Sequence, residues 1–266
     1  MSYEHIFPFK YPIKTARSKC EERYIGFKFL SKIPSLIFPS KDTYTLCYAY
    51  FRWFDDITDS HDFSKEEIMF TVQRQKRFLS QLYSQEISEE LSTEELFLAH
   101  LVAYDKRSKN SFKNDLEILI STLEFDANRK YKILSSNEID KYIDDNTKSY
   151  VNISLAIFNQ DCINREEFYK IARASFIIDL IYDLKKDFEI GYINIPREDI
   201  NSYNIDLNDL NSPEIKNWVK DKTFSQIKIV EDKKSISSLS LIPKLIANSM
   251  LLKRKIKLNK ILKNIT

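Results

Sequence analysis

Glycine is nearly missing from this chain: two residues in 266, Gly26 and Gly191. Neither glycine nor proline occurs between Pro39 and Gly191. Tight hairpins and phosphate-cradling loops depend on glycine, so the gap argues against a β-rich fold and against Rossmann or P-loop chemistry. Cysteine is scarce as well. Cys20, Cys47 and Cys162 form neither a disulfide framework nor a zinc pattern, and they fit a reducing cytosol. The three histidines, His5, His61 and His100, lack the neighbours that a catalytic triad or zinc site would need. No apolar run reaches membrane-spanning length, and the opening "MSYEHIFPFKYPIK" lacks a signal-peptide core, so a soluble cytoplasmic protein is expected. Charge of one sign is also lacking: 41 Lys and Arg nearly cancel 39 Asp and Glu, which removes the electrostatic case for a nucleic-acid partner.

What remains is enough apolar residue for a substantial core, 43% of the chain, arranged as long helices joined by Asn, Asp and Ser turns. Residues 1–14, with Pro8 and Pro12, read as an extended arm. A helical segment over 15–31 is broken by the two prolines of "KIPSLIFPS". Helices are then expected from about 41 to 60 and from a capping box at Ser64 and Glu67 to about 84. Others follow after "ISEELSTEEL", and at about 111–125, 136–160 and 164–188. "YINIPREDI" turns into a short helix opening at Pro196, Pro213 starts another, and Pro243 is expected to interrupt the last stretch. With no repeat and no linker composition, the pattern reads as one all-α domain.

The segment "FRWFDDITD" (51–59) sets acids at the end of an aromatic run. On a helix, Tyr48, Arg52, Asp55 and Asp59 share a stripe about 60° wide, with Asp56 about 100° from Asp55. Asp55 and Asp59 are about 6 Å apart along the axis, close enough for both carboxylates to serve one ligand. Glu86 with Glu90 and Asp140 with Asp144 have the same spacing among polar neighbours, where solvated helix faces are expected. A second stripe follows another apolar run, in "DLIYDLKKDF": Asp179, Asp183 and Asp187, with Phe176 on the same side.

Two such stripes facing each other across a cavity would need compensation for their charge, and a hard divalent cation with oxygen ligands supplies it. Mg²⁺ is characteristically held by carboxylates, waters and substrate phosphates, which is a way to bind a diphosphate and help it depart. The carbocation left behind needs a dry pocket with aromatic faces.

These residues resemble the squalene/phytoene synthase family of head-to-head isoprenyl diphosphate enzymes. "YAYFRWFDDITD" (48–59) looks like that family's first aspartate-rich motif and "DLKKDFEIGYINIP" (183–196) like its second, while "FDANRKYKILSSNEIDKY" (125–142) follows its weaker middle pattern. The resemblance covers about 40 to 200. It implies an all-α isoprenoid synthase helical bundle with a central cavity, and an Mg²⁺-dependent transferase using two or three ions. Its substrates would be prenyl diphosphates such as farnesyl or geranylgeranyl diphosphate, condensed head-to-head with release of pyrophosphate.

By resemblance, Asp55, Asp59, Asp183 and Asp187 would bind metal and diphosphate, with Tyr48 and Arg52 beside the phosphates and Asp179 as a further metal ligand. The chain departs from the family where glutamine, asparagine and arginine give way to Phe176, Asp179 and Tyr182. "TKSYV" (147–151) stands in place of the family's small-residue stretch. These departures keep open a terpene cyclase acting on one prenyl diphosphate, and a non-catalytic assembly factor.

Other positions admit two readings. Tyr142, Asn146, Ser149 and Ile153 form a stripe that could line the pocket or pack as core. Lys185, Lys186 and Arg197 could clamp phosphate or sit on solvated faces. The tail 251–266 is basic, without acids, and alternates with Leu and Ile: it could rest peripherally on an anionic membrane or pack as a final helix.

Overall fold

The computed structural model of the chain describes residues 14–18, 21, 32, 40–60, 62–86, 91–108, 112–160, 165–231, 237 and 241–265, and helix is the only regular structure among them. In chain order these are α1 (Lys41–Asp59), α2 (Lys65–Ser84), α3 (Thr93–Arg107), α4 (Lys113–Arg129), α5 (Ser136–Ile157), α6 (Arg165–Tyr182), α7 (Leu184–Glu189), α8 (Arg197–Tyr203), α9 (Pro213–Glu231) and α10 (Leu241–Ile265). The capping box expected at Ser64 and Glu67 is formed. A second one, at Ser92 and Glu95, starts α3. The expected arm lies outside the described residues, apart from Lys14, and so do Pro34, Pro39, Cys20, Cys162, His5 and His61.

The helix expected at about 111–125 runs on to Arg129, and two others depart from expectation in kind. The predicted helix at 164–188 is divided at Asp183, whose backbone relaxes to φ −90° and ψ 3°. The four-residue hydrogen bonds persist on both sides, from Asp183 N to Asp179 O (2.9 Å) and from Asp187 N to Asp183 O (2.8 Å). The division therefore relaxes the backbone at an acidic residue without unravelling the helix. Pro243 does not interrupt the last helix. It lies in the first turn of α10, where a backbone N–H has no intrahelical acceptor and its loss costs nothing.

The described chain forms two compact units, residues 1–123 with 156–159 and residues 124–155 with 160–266. In the first, α3 packs against both α1 and α2. Tyr50 and Phe54 of α1 are fully buried, each worth roughly 2 kcal/mol relative to exposure. Burying Tyr50 requires a partner for its hydroxyl, which donates to Gln75 Oε1 (2.9 Å). Gln75 Nε2 donates in turn to Glu95 Oε1 (3.0 Å), and Arg74 grips the same carboxylate at 2.7 and 3.0 Å. Glu95 thereby serves the α3 cap and the polar thread through α2 together.

In the second unit α6 packs on α9 and α10. Its buried stripe, Ile171, Ala174, Ile178 and Ile181, follows helical spacing and joins Trp218, Leu251, Leu258 and Ile261 in one core. Asp179 and Asp183 flank this stripe, so core packing fixes where they point.

Candidate active site

The first stripe is held by its own helix. Arg52 Nη1 donates to Asp55 Oδ2 at 2.7 Å, and Nη2 lies 2.8 Å from Asp56 Oδ1. Asp56, which the stripe geometry had set aside, therefore shares the guanidinium, because residues three and four along a helix both neighbour the same side chain. Asp55 and Asp56 are each 36% exposed in the side chain, open enough to take a ligand. Tyr48 and Asp59 are half-buried. Asp59 ends α1, where no basic residue occupies the last turn. A carboxylate at the negative end of a helix dipole is unfavourable, so its placement there is not a stability device.

The second stripe is held from a distance in sequence. Lys257 of α10 lies 2.9 Å from Asp179 Oδ1 and donates to Asp183 Oδ2 at 3.0 Å, bridging the pair. Arg254, one turn earlier, donates to Asp179 Oδ2 at 2.6 Å. Burial works against the Lys257 ammonium, but Asp179 and Asp183 outweigh it and hold its pKa above the usual lysine range. The neighbouring Lys253 moves the other way, lowered by burial and by Arg254. Tyr182 is exposed at the same place, with Lys257 4.7 Å and Lys260 5.9 Å from its ring centre.

Asp187 has a different setting. Its Oδ2 accepts from Asn194 Nδ2 at 2.7 Å, and Asn194 Oδ1 accepts from Arg129 Nη1 at 2.9 Å. Arg129 is buried, bonded to Asp126 (2.6 Å) and stacked between the rings of Tyr142 (4.8 Å) and Tyr192 (4.5 Å).

The other sequence candidates are placed as follows. Phe176 packs edge-on to Tyr142, with centroids 5.7 Å apart, and Asn146 is half-buried one turn beyond Tyr142. Ser149 and Ile153 are buried. Arg197 Nη2 donates to the Ile133 carbonyl at 2.9 Å, tying down the 132–135 turn, while Lys185 donates to Asn211. Lys186 is exposed. The comparison pair Asp140 and Asp144 is bridged by Arg173 of α6, where open solvation was expected. His100 accepts or donates across to Thr43 of α1 at 3.1 Å.

Sequence reading missed Arg254, Lys257, Arg129 and Asn194. One signal for the first two was present: a six-cation tail without acids and an acid-rich 179–187 complement each other in charge.

An all-α chain with two aspartate-bearing helices of this kind is an isoprenoid synthase fold. The sequence pattern of the squalene/phytoene synthase family matches residues 28–228, and the chain belongs to that family. It is similar in structure to squalene synthase HpnC from Alicyclobacillus acidocaldarius, with 17% identity, TM-score 0.74, and coverage of 96% of this chain and 94% of that one. It is also similar to a dehydrosqualene synthase solved with a ligand, with 12% identity, TM-score 0.72, and coverage of 92% and 84%. No curated protein sequence matches the chain. Family and fold together place it among head-to-head prenyl diphosphate condensing enzymes.

Proposed function

We propose that this chain is an Mg²⁺-dependent transferase that ionises prenyl diphosphates of the farnesyl or geranylgeranyl class and condenses two of them head-to-head. The observation that supports it best is the retention of both aspartate stripes on helices of the family fold, with carboxylates open to solvent at Asp55 (36%) and Asp183 (38%). Among the described residues no three His, Cys, Asp or Glu side chains converge as a ready-made metal centre. The donors present are nevertheless oxygen-only carboxylates, which suit Mg²⁺ when substrate phosphates and waters complete its shell. Asp55 and Asp59 on the first stripe, and Asp179, Asp183 and Asp187 on the second, would each hold such an ion. When bound, the metal would supply Lewis acidity to the leaving diphosphate.

The protein's own cations contribute the rest. Arg52 on the first stripe, and Arg254 and Lys257 on the second, already sit on these carboxylates, and each can turn to a substrate phosphate with a charge-assisted hydrogen bond. Phe176 and Tyr182 bring aromatic faces in place of amide and guanidinium donors. That loss of donors favours, as a second reading, a cyclase acting on one diphosphate. Incubation with C10 to C20 prenyl diphosphates and Mg²⁺, followed by mass spectrometry, separates the readings. Two prenyl units in the product support condensation, one supports cyclisation, and no turnover with any of them rejects both.

The outward side of α10 suits an apolar product in a second way. Leu252 and Ile256 are 61% and 50% exposed one turn apart, with Lys260 exposed beside them. We propose that this face rests on an anionic membrane. Leu252→Glu with Ile256→Glu should reduce sedimentation with phosphatidylglycerol vesicles, and unchanged sedimentation would reject the contact.

A further inference from the structure

The Asp187 carboxylate of the second stripe accepts from a neutral donor, Asn194, and that donor is unusually well fixed. Asn194 is buried, at 6% exposure, so its amide cannot choose its partners freely. Arginine only donates, so the Asn194 oxygen must face Arg129 and its NH₂ must face Asp187. Arg129 is fixed in turn. Its Nε donates to Asp126 Oδ1, Tyr142 donates to Asp126 Oδ2 at 2.8 Å, and two aromatic rings clamp the guanidinium plane. Burial opposes the charge on Arg129, but Asp126 outweighs it and raises the pKa, so the residue stays cationic at any working pH.

The loop carrying Asn194 is anchored as well. Tyr131 N donates to Gly191 O at 2.6 Å and Tyr192 N donates to Asp187 O at 2.8 Å. Gly191 has φ +96°, and a Cβ there would lie 2.8 Å from the Tyr131 ring, so one of the chain's two glycines is spent on this turn.

We propose that Asn194 is a positioning residue, through which the buried Arg129–Asp126–Tyr142 cluster orients the Asp187 carboxylate toward a divalent cation. The inference rests on the reading of Asp187 as a metal ligand. A thread of this kind, with every member satisfied, costs nothing to reorganise when the ligand arrives. The sign of the dipole also fits: the Arg129 charge polarises the amide so that its N–H side meets the carboxylate.

The test is titration calorimetry of Mg²⁺ into the full chain with inorganic pyrophosphate, together with thermal unfolding. Asn194→Leu should weaken Mg²⁺ binding about tenfold or more, and Asn194→Ser, too short to reach Asp187, should do the same if the leucine variant folds poorly. Asp187→Asn should weaken it at least as much. In an Asp187→Asn background, Asn194→Leu should add less than about a twofold change, since the amide acts only through that carboxylate. A merely structural role would give additive losses, and additivity overturns the proposal. Wild-type Mg²⁺ affinity in both Asn194 variants, with Asp187→Asn impaired, overturns it while sparing the metal reading. Wild-type affinity in Asp187→Asn overturns both.

Discussion

The two aspartate stripes carry the same four-residue spacing but are neutralised by different means. On α1, Arg52 lies three and four residues from Asp55 and Asp56, so the counter-charge folds with the helix itself. At the end of α6 and its junction with α7, Asp179 and Asp183 depend on Arg254 and Lys257, which are 74 or more residues from the acids they pair with and arrive only when α10 packs. A local pair of exposed side chains contributes little to stability, because water and salt screen it and the helix needs no tertiary contact to form it. A pair that crosses between helices couples charge compensation to the docking of a whole element. The control pair Asp140 and Asp144, bridged by Arg173, shows that this second arrangement is not confined to the motif.

If both stripes serve the same diphosphate chemistry, neutralisation by different routes should not matter to turnover. Asp55→Asn and Asp183→Asn are each expected to lower pyrophosphate release from farnesyl diphosphate by about a thousandfold, the scale seen when a preorganised charge is removed at a reacting group. A loss confined to one variant would break the equivalence and leave a single functional stripe. The difference between the stripes should show in stability instead. Arg254→Met with Lys257→Met leaves Asp179 and Asp183 uncompensated at the α6–α10 contact. After allowance for their partial exposure, this should cost about 2 kcal/mol, read by urea unfolding. Arg52→Met should cost under about 1 kcal/mol. Added Mg²⁺ should raise the Tm of the double variant more than that of the wild type, because it meets carboxylates that have lost their own cations. Equal costs at the two stripes would remove the distinction drawn between them.

The parts legible in the sequence are those set by local rules. The glycine gap, the Ser64 capping box and the periodicity of Ile171, Ala174, Ile178 and Ile181 each act within a turn or two, and the helices they imply are present. The four-spaced acids were visible for the same reason. Their partners were hidden because charge pairing between α6 and α10 depends on which face of each helix packs inward. Spacing within one segment carries no information about that. Asn194 was hidden by its chemistry: a neutral amide in a loop has no periodicity, and only burial against Arg129 gives it a fixed direction. Pro243 was misread because a proline breaks a helix or opens it according to where the first turn falls, and nothing local marked that turn.

A last expected effect, confined to acid pH, separates the units. His100 of α3 meets Thr43 of α1, and no histidine occurs in residues 124–155 or 160–266. Burial, with Arg107 adding to it and Asp42 opposing, pushes the His100 pKa down to about 4. The unfolded chain binds this proton near pH 6.5, the folded chain only near pH 4. Between those values the unfolded state holds more protons, so stability falls as pH falls, by up to about 3 kcal/mol once both values are passed. His100→Gln retains a group able to bond Thr43 and does not titrate. It should therefore flatten that part of the stability curve, measured as the difference from wild type in urea midpoint at pH 7.5 and pH 4.5. Carboxylates titrate in both proteins and cancel in the difference. Parallel curves would show that His100 takes up its proton without leaving its place beneath α1, and the acid sensitivity of the first unit would then have to come from its aspartates, as it must in the second.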